Sequence, residues 1–147
     1  MKAKELFTKE LQKQVVAAIE TAELNTSGEV RVHLDDKCKG DVLDRAAYVF
    51  EKLEMQKTEQ RNGVLFYLAV QDKKFAILGD AGINQKVPEN FWEEIKSEVI
   101  ENFKKGDFAE GLSSGIIKAG EQLKAHFPYQ EDDVNELDNE ISFDDEL

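Results

Sequence analysis

The chain has one cysteine, two prolines, one tryptophan and two histidines among its 147 residues. A lone Cys38 excludes an intramolecular disulfide, and so few prolines leave long stretches free for regular helices and strands. No stretch approaches the roughly 18 consecutive apolar residues of a membrane helix. The longest apolar run, residues 64–70, has the length of a buried strand. Lys2 and Lys4 are followed by no apolar core of the kind a signal peptide needs. These absences predict a protein of the reducing cytoplasm that does not insert directly into a membrane.

Basic residues are scarce as well: 19 Lys and Arg stand against 31 acids, for a net charge of −12. Nine of those acids (Glu131, Asp132, Asp133, Glu136, Asp138, Glu140, Asp144, Asp145 and Glu146) fall in residues 130–147, which hold no Lys or Arg. Without them the remainder stands at only −3. Mild acidity argues against broad phosphate-backbone contact, so no nucleic-acid partner is expected. Composition divides the chain into a folded domain, residues 1–128, and an acidic tail, residues 129–147, too poor in apolar side chains to fold alone. One reading of the tail is solubilising. Another follows from Val134, Leu137, Ile141 and Phe143, spaced as anchors that could order in a protein partner's groove.

Within the domain, hydrophobic periodicity predicts the elements. Thr8 caps a first helix with Leu11, Val15, Ala18 or Ile19, and Ala22 on its buried side. Residues 29–34 alternate, with Val30, Val32 and Leu34 opposed to Glu29, Arg31 and His33, as in a half-buried strand. Asp41 and Asp44 suit the start of a second helix, whose expected stripe is Leu43, Ala47, Phe50 and Leu53. Residues 56–61 read as a loop. The doubly apolar run 64–70 is a central strand, joined through a turn at Asp72-Lys73 to residues 75–78 as a hairpin. Gly79-Asp80-Ala81-Gly82 breaks that strand. A third helix is expected after Pro88, with Phe91, Ile95, Val99 and Phe103 on one face. The fourth opens with Asp107 and Glu110 as a capping box and buries Leu112, Ile116, Ala119, Leu123 and Phe127. A helix between strands one and two makes them parallel, and the hairpin makes strand three antiparallel. The expected fold is α/β: a three-layer α/β/α sandwich with a mixed, mainly parallel sheet.

Several ordered motifs resemble one family. Ser27-Gly28-Glu29 opens a strand, and Asn62-Gly63-Val64-Leu65 opens the central one. Gly79-Asp80-Ala81-Gly82-Ile83 ends the hairpin, and Gly106-Asp107-Phe108-Ala109-Glu110-Gly111-Leu112 with Gly115 starts the last helix. In this order they are similar to the TPM domain, whose members include thylakoid-lumen, photosystem II repair and nematode receptor-modulator proteins. The likeness covers about residues 8–127. It implies an α/β/α sandwich that binds a divalent cation, Ca²⁺ or Mg²⁺, and the acid phosphatase activity claimed for plant members. The family pattern continues after Ile83 with Glu-Gly and later Thr-Asp, whereas this chain has Asn84-Gln85 and Pro88-Glu89. The tail resembles that of a cytoplasmic bacterial branch, which implies a LemA-type membrane protein as partner.

The expected strand directions gather Glu29, Asn62 and Asp80 at one edge among Gly28, Gly63, Gly79 and Gly82. Carboxylate and carbonyl oxygens there suit a hard divalent cation, with Asp80 foremost, while turn glycines and a helix cap are the plainer explanation. Asp107 belongs to one edge or the other. The opposite edge collects Asp35, Asp36, Asp41, Asp44 and Asp72 as a competing site. His33 and Cys38 are too few for zinc, with His126 far along the chain. Three functions follow as expectations: a divalent-cation-binding interaction domain; a metal-assisted phosphatase with Arg61 holding the phosphate; and an adaptor acting through its tail.

Overall fold

The computed structural model describes residues 1–129, 137 and 139–143. Thr8 Oγ1 accepts the Leu11 N–H at 3.4 Å and opens α2 (Lys9–Glu23), after a single-turn α1 (Ala3–Leu6). Then come β1 (Glu29–Asp35), α3 (Val42–Lys52), a 3₁₀ turn (Met55–Lys57), β2 (Gly63–Ala69) and β3 (Lys74–Gly79). They are followed by α4 (Ala81–Lys86), α5 (Glu93–Lys104), α6 (Phe108–Leu123) and β4 (Ser142–Phe143).

The strands form one sheet in the order β3-β2-β1-β4. β1 and β2 are parallel, with Glu29 opposite Gly63 and Asp35 opposite Ala69. β2 and β3 are antiparallel, with Val64 opposite Gly79. On one face, side chains of α2, α5 and α6 pack over Val30, Val32, Leu34, Val64, Phe66 and Leu68. On the other, α3 and the 3₁₀ turn cover Leu65, Tyr67, Ala69 and Ala76. This is the α/β/α sandwich that the residue pattern predicts. Each fully buried large side chain contributes about 1.5–3 kcal/mol through removal from water.

Four expectations need correction. β1 is not half-buried: His33 is 0% and Asp35 1% exposed, because α3 and the C-terminal segment close its polar face. The apolar stripe of α3 is Ala46, Val49 and Phe50, with Leu43 53% exposed; this rotation turns Arg45 towards Asp35. Asp107 makes no side-chain cap, and Glu110 instead accepts a hydrogen bond from Gln14 Nε2 at 3.0 Å. The strand break at residue 79 leads into α4, and α5 begins at Glu93 rather than after Pro88.

The expectation that the chain beyond residue 128 stays unfolded is also corrected where that segment is described. β4 adds to the outer edge of β1 in parallel, Ser142 opposite His33 and Phe143 opposite Leu34. Leu137, Ile141 and Phe143 are buried, Leu137 on one side of the sheet and the other two on the opposite side. Average composition misses this because three anchors meet a ready-made seat. Val134 and the acids Glu131, Asp132, Asp133, Glu136, Asp138, Asp144, Asp145 and Glu146 lie outside the described residues.

The α2–α6 contact is a backbone approach. A Cβ added at Gly120 would stand 2.8 Å from Ala22 Cα and 3.0 Å from Ala22 O, whereas one at Gly40 would meet nothing within 4 Å. Gly120→Val is therefore expected to cost about 3 kcal/mol by overpacking, and Gly40→Ala less than about 0.5 kcal/mol. Chemical denaturation of the two variants checks both values.

Candidate functional site at the amino edge of the sheet

The parallel pairing and the hairpin bring the starts of β1 and β2 and the end of β3 to one edge. Two backbone bonds join them, Glu29 N–H to Asn62 O at 3.1 Å and Asp80 N–H to Gly63 O at 2.9 Å, and a third, Ser27 N–H to Phe127 O at 2.9 Å, ties this edge to the chain beyond α6. Asn62 Nδ2 donates to Ser27 O at 3.1 Å, and the Asn62 N–H donates to Thr58 Oγ1 at 3.1 Å. The strand ends that carry Glu29, Asn62 and Asp80 are thus adjacent and each residue is buried, with the three side chains held by separate partners. Asp107 is not with them. The far end of α6, with Phe127 just beyond it, is the end at this edge, and α6 (Phe108–Leu123) carries Asp107 one helix length away.

Each of the three has internal partners. Asp80 is the N-cap of α4: Oδ1 accepts the Ala81 N–H at 2.8 Å and Arg61 Nη2 at 2.8 Å, while Oδ2 accepts Arg61 Nε at 2.7 Å. Arg61 reaches this fork with φ 52°, a left-handed conformation, and its carbonyl accepts the Gly82 N–H at 2.8 Å. Gly82 is required there, since a Cβ would lie 2.2 Å from Gln60 O and 2.6 Å from Arg61 O. The Asp80 carboxylate pushes the Arg61 guanidinium above its ordinary range. Expected as a phosphate clamp, Arg61 is bound bidentately to its own chain.

Glu29 Oε1 accepts the Leu137 N–H at 2.9 Å, and the side chain of Leu137 lies over Gly63. Beside it stands Glu23, which the sequence reading passed over because it sits at the end of a helix. Burial pushes the Glu23 carboxyl up to about 7; hydrogen bonds from the Val30 N–H and the Asn139 side chain oppose this, and the Glu29 and Glu20 carboxylates reinforce it. Glu23 Oε2 is buried without a hydrogen-bond partner. The donor set at this edge is all oxygen from carboxylates and an amide, which in kind suits Ca²⁺ or Mg²⁺ rather than zinc. Among the described residues no three His, Cys, Asp or Glu side chains are already grouped to hold a metal.

At the opposite edge the five acids are dispersed into other tasks. Asp36 Oδ1 accepts the Ala3 N–H at 2.6 Å, Asp41 Oδ1 the Leu43 N–H at 3.1 Å, and Asp72 Oδ2 the Cys38 N–H at 2.7 Å. Asp36, Asp41 and Asp44 line an open cleft of about 850 Å³, interleaved there with Lys2, Lys37, Lys39 and Arg45. Alternating charges of both signs do not concentrate negative potential as a cation site requires.

Asp35 instead forms a buried hub. Its carboxylate accepts from His33 Nε2 at 2.7 Å, Arg45 Nε at 2.8 Å and the Tyr67 hydroxyl, while His33 Nδ1 meets Ser142 Oγ at 2.9 Å. Burial alone would raise the Asp35 carboxyl, but hydrogen bonds from His33, Arg45 and Tyr67 outweigh it and hold the group well below the carboxylate range. The Tyr67 phenol is pushed upward, by burial first and then by Asp35. Serine, histidine and aspartate are in contact here, with Ser142 and His33 each 0% exposed. The cluster is structural. The Cys38 thiol donates to Gly40 O at 3.7 Å and His126 packs against Phe91, and among the described residues neither joins a group of three potential metal ligands.

Because the folded Asp35 holds its charge below the unfolded value of 3.8, its stabilisation is full above about pH 4 and is lost as pH falls further. Asp35→Asn is expected to lose about 3 kcal/mol at pH 7 by leaving Arg45 without its buried counter-charge. Between pH 4 and pH 2 the variant should have a flatter stability profile than the parent chain, measured by urea unfolding across that range.

The family model described as the TPM domain matches residues 1–122. The chain is similar to the BA42 protein of the psychrophilic bacterium Bizionia argentinensis, solved by NMR. Identity is 48%, with 97% of this chain and 98% of that one covered, at a TM-score of 0.90. Two more distant NMR structures share the fold alone. The N-terminal domain of a protein from P. gingivalis is 16% identical, over 86% of this chain and 82% of that one, with a TM-score of 0.70. The N-terminal domain of the cg2496 protein of Corynebacterium glutamicum is 11% identical, over 95% and 82%, with a TM-score of 0.62. No curated protein matches the chain. A match over residues 1–122, together with the same ordered strand-opening and hairpin-closing motifs, makes the chain a member of the TPM domain family.

Proposed function

We propose that the chain is an interaction domain that takes a hard divalent cation, Ca²⁺ or Mg²⁺, at the amino edge of its sheet. The observation that carries the reading is the crowding of carboxylates at the start of β1: Glu23 leaves a buried oxygen without a hydrogen-bond partner, with the Glu29 carboxylate close enough to repel it. A divalent ion would bring positive charge to that oxygen. In this reading Glu23 and Glu29 are the donors, with Asn62 and Asp80 on the adjoining strand ends as further ones once their present side-chain bonds to Ser27 O and Arg61 are released. Such an ion would neutralise and hold this edge; no reaction step is assigned to it.

A role in binding also agrees with Arg61, whose fork is occupied by Asp80 rather than presented to a phosphate. Family likeness supports a membrane-associated protein, of LemA type, as the partner. The lone buried Cys38 suits a cytoplasmic setting, and among the described residues no helix is long and apolar enough to cross a membrane.

Titration of the full chain with Ca²⁺ or Mg²⁺, followed by amide chemical shifts, tests the reading. Movement is expected at Glu29, Val30 and Asn62 at millimolar cation, the range of weak extracellular-type calcium sites. Glu23→Gln and Glu29→Gln should each weaken binding on the order of tenfold. Unmoved resonances at those positions, or equal binding by both variants, would remove the site.

A further inference from the structure

The same two carboxylates do a second job. Glu29 Oε1 accepts the Leu137 N–H at 2.9 Å, and Glu23 receives a hydrogen bond from the Asn139 side chain. Farther along, Ser142 Oγ meets His33 Nδ1, and Ile141 and Phe143 enter the core on one face while Leu137 enters on the other. The C-terminal segment is therefore held by three polar pins and three apolar plugs. Two of the pins are the groups assigned above to the cation.

We infer that Leu137 and residues 139–143 form a strap whose docking competes with cation binding at Glu23 and Glu29. The inference rests on the cation reading of that edge and adds its regulation. A carboxylate that shares its charge with a divalent ion is a weaker acceptor for the Leu137 N–H and the Asn139 side chain. Conversely, an intact strap neutralises part of the charge that attracts the ion. Release of the strap also bares the outer edge of β1, paired among the described residues through His33 and Leu34, and leaves that edge able to take an extended segment. The coupling must be reciprocal: the factor by which the strap weakens the ion equals the factor by which the ion loosens the strap.

The test uses the full chain with Ca²⁺ as the probe. Phe143→Ala removes a plug at the end of the segment remote from the two carboxylates; Ser142→Ala is the milder second variant, in case the first impairs folding. In the parent chain, saturating Ca²⁺ should speed hydrogen exchange of the Ile141, Ser142 and Phe143 amides. In either variant the apparent affinity for Ca²⁺ should tighten by at least about threefold, matching the gain in exchange. Binding of equal strength in parent and variants, with exchange at residues 141–143 unchanged by Ca²⁺, overturns the competition and leaves the cation site standing. Absence of binding in every form overturns both. Slower exchange at those amides on adding Ca²⁺ overturns the competition in the opposite sense, since ion and strap would then support one another.

Discussion

The Asp35 carboxylate is the constraint on which the rest of the structure depends. It sits 1% exposed at the end of a strand covered on both sides, a place where an uncompensated charge would cost several kcal/mol. Three donors meet it, each from a different part of the chain: His33 two residues back on β1, Tyr67 on β2 and Arg45 on α3. Satisfying one carboxylate thus fixes how β2 lies beside β1 and how α3 is rotated on the sheet. His33 carries the arrangement one step further, because its second ring nitrogen meets Ser142 and so registers β4. Stacking of His33 on Tyr67, with ring planes 6° apart, holds the two rings to one geometry. Replacing any partner leaves the others buried and only partly satisfied, the state that buried polar networks tolerate least.

The opposite end of the sheet is built from backbone rather than from one hub. Carbonyls of Asn62 and Gly63 accept N–H groups from the neighbouring strands, and Gly82 lets the loop before β2 come within bonding distance of α4. Charges at this end are arranged in two lots. The Asp80 carboxylate is held by the Arg61 guanidinium, while Glu29 accepts from the Leu137 N–H and Glu23 from the Val30 N–H and the Asn139 side chain. Asp80 is thereby closed off at the end of β3, whereas Glu23 beside the start of β1 keeps one buried oxygen without a hydrogen-bond partner.

The sheet was readable from residues because its signals are local. A seven-residue apolar run cannot be other than a doubly buried strand in a chain of this composition, and Asp72-Lys73 reverses it with Lys73 at φ 53°. Parallel pairing of β1 and β2 follows from the helix between them, and with it the nearness of the strand ends that carry Glu29, Asn62 and Asp80. What could not be read was partnership across long separations. An alternating strand looks half-exposed when the segment that covers it lies more than a hundred residues away, as Ser142 does from His33. Leu43 and Ala46 lie at equally good helical positions, and the choice between them was made by Arg45 reaching Asp35. Asp107 and Glu110 have the spacing of a cap, yet Glu110 turns to Gln14 on another helix. Glu23 drew no notice because a glutamate at a helix end is commonplace; only burial by the returning chain makes it unusual.

Tyr67 gives the hub a consequence at the alkaline end of the pH scale. Its hydroxyl is a donor to Asp35, and a phenolate placed there would set two negative oxygens against each other in a dry interior. The folded phenol therefore keeps its proton at a pH where an unfolded tyrosine, with its ordinary value of 10.0, gives it up. Alkali then favours the unfolded chain through this one side chain, and with the exposed Tyr48 and Tyr129 replaced by Phe the ultraviolet band of the phenolate becomes an optical gauge of how much of the interior has opened.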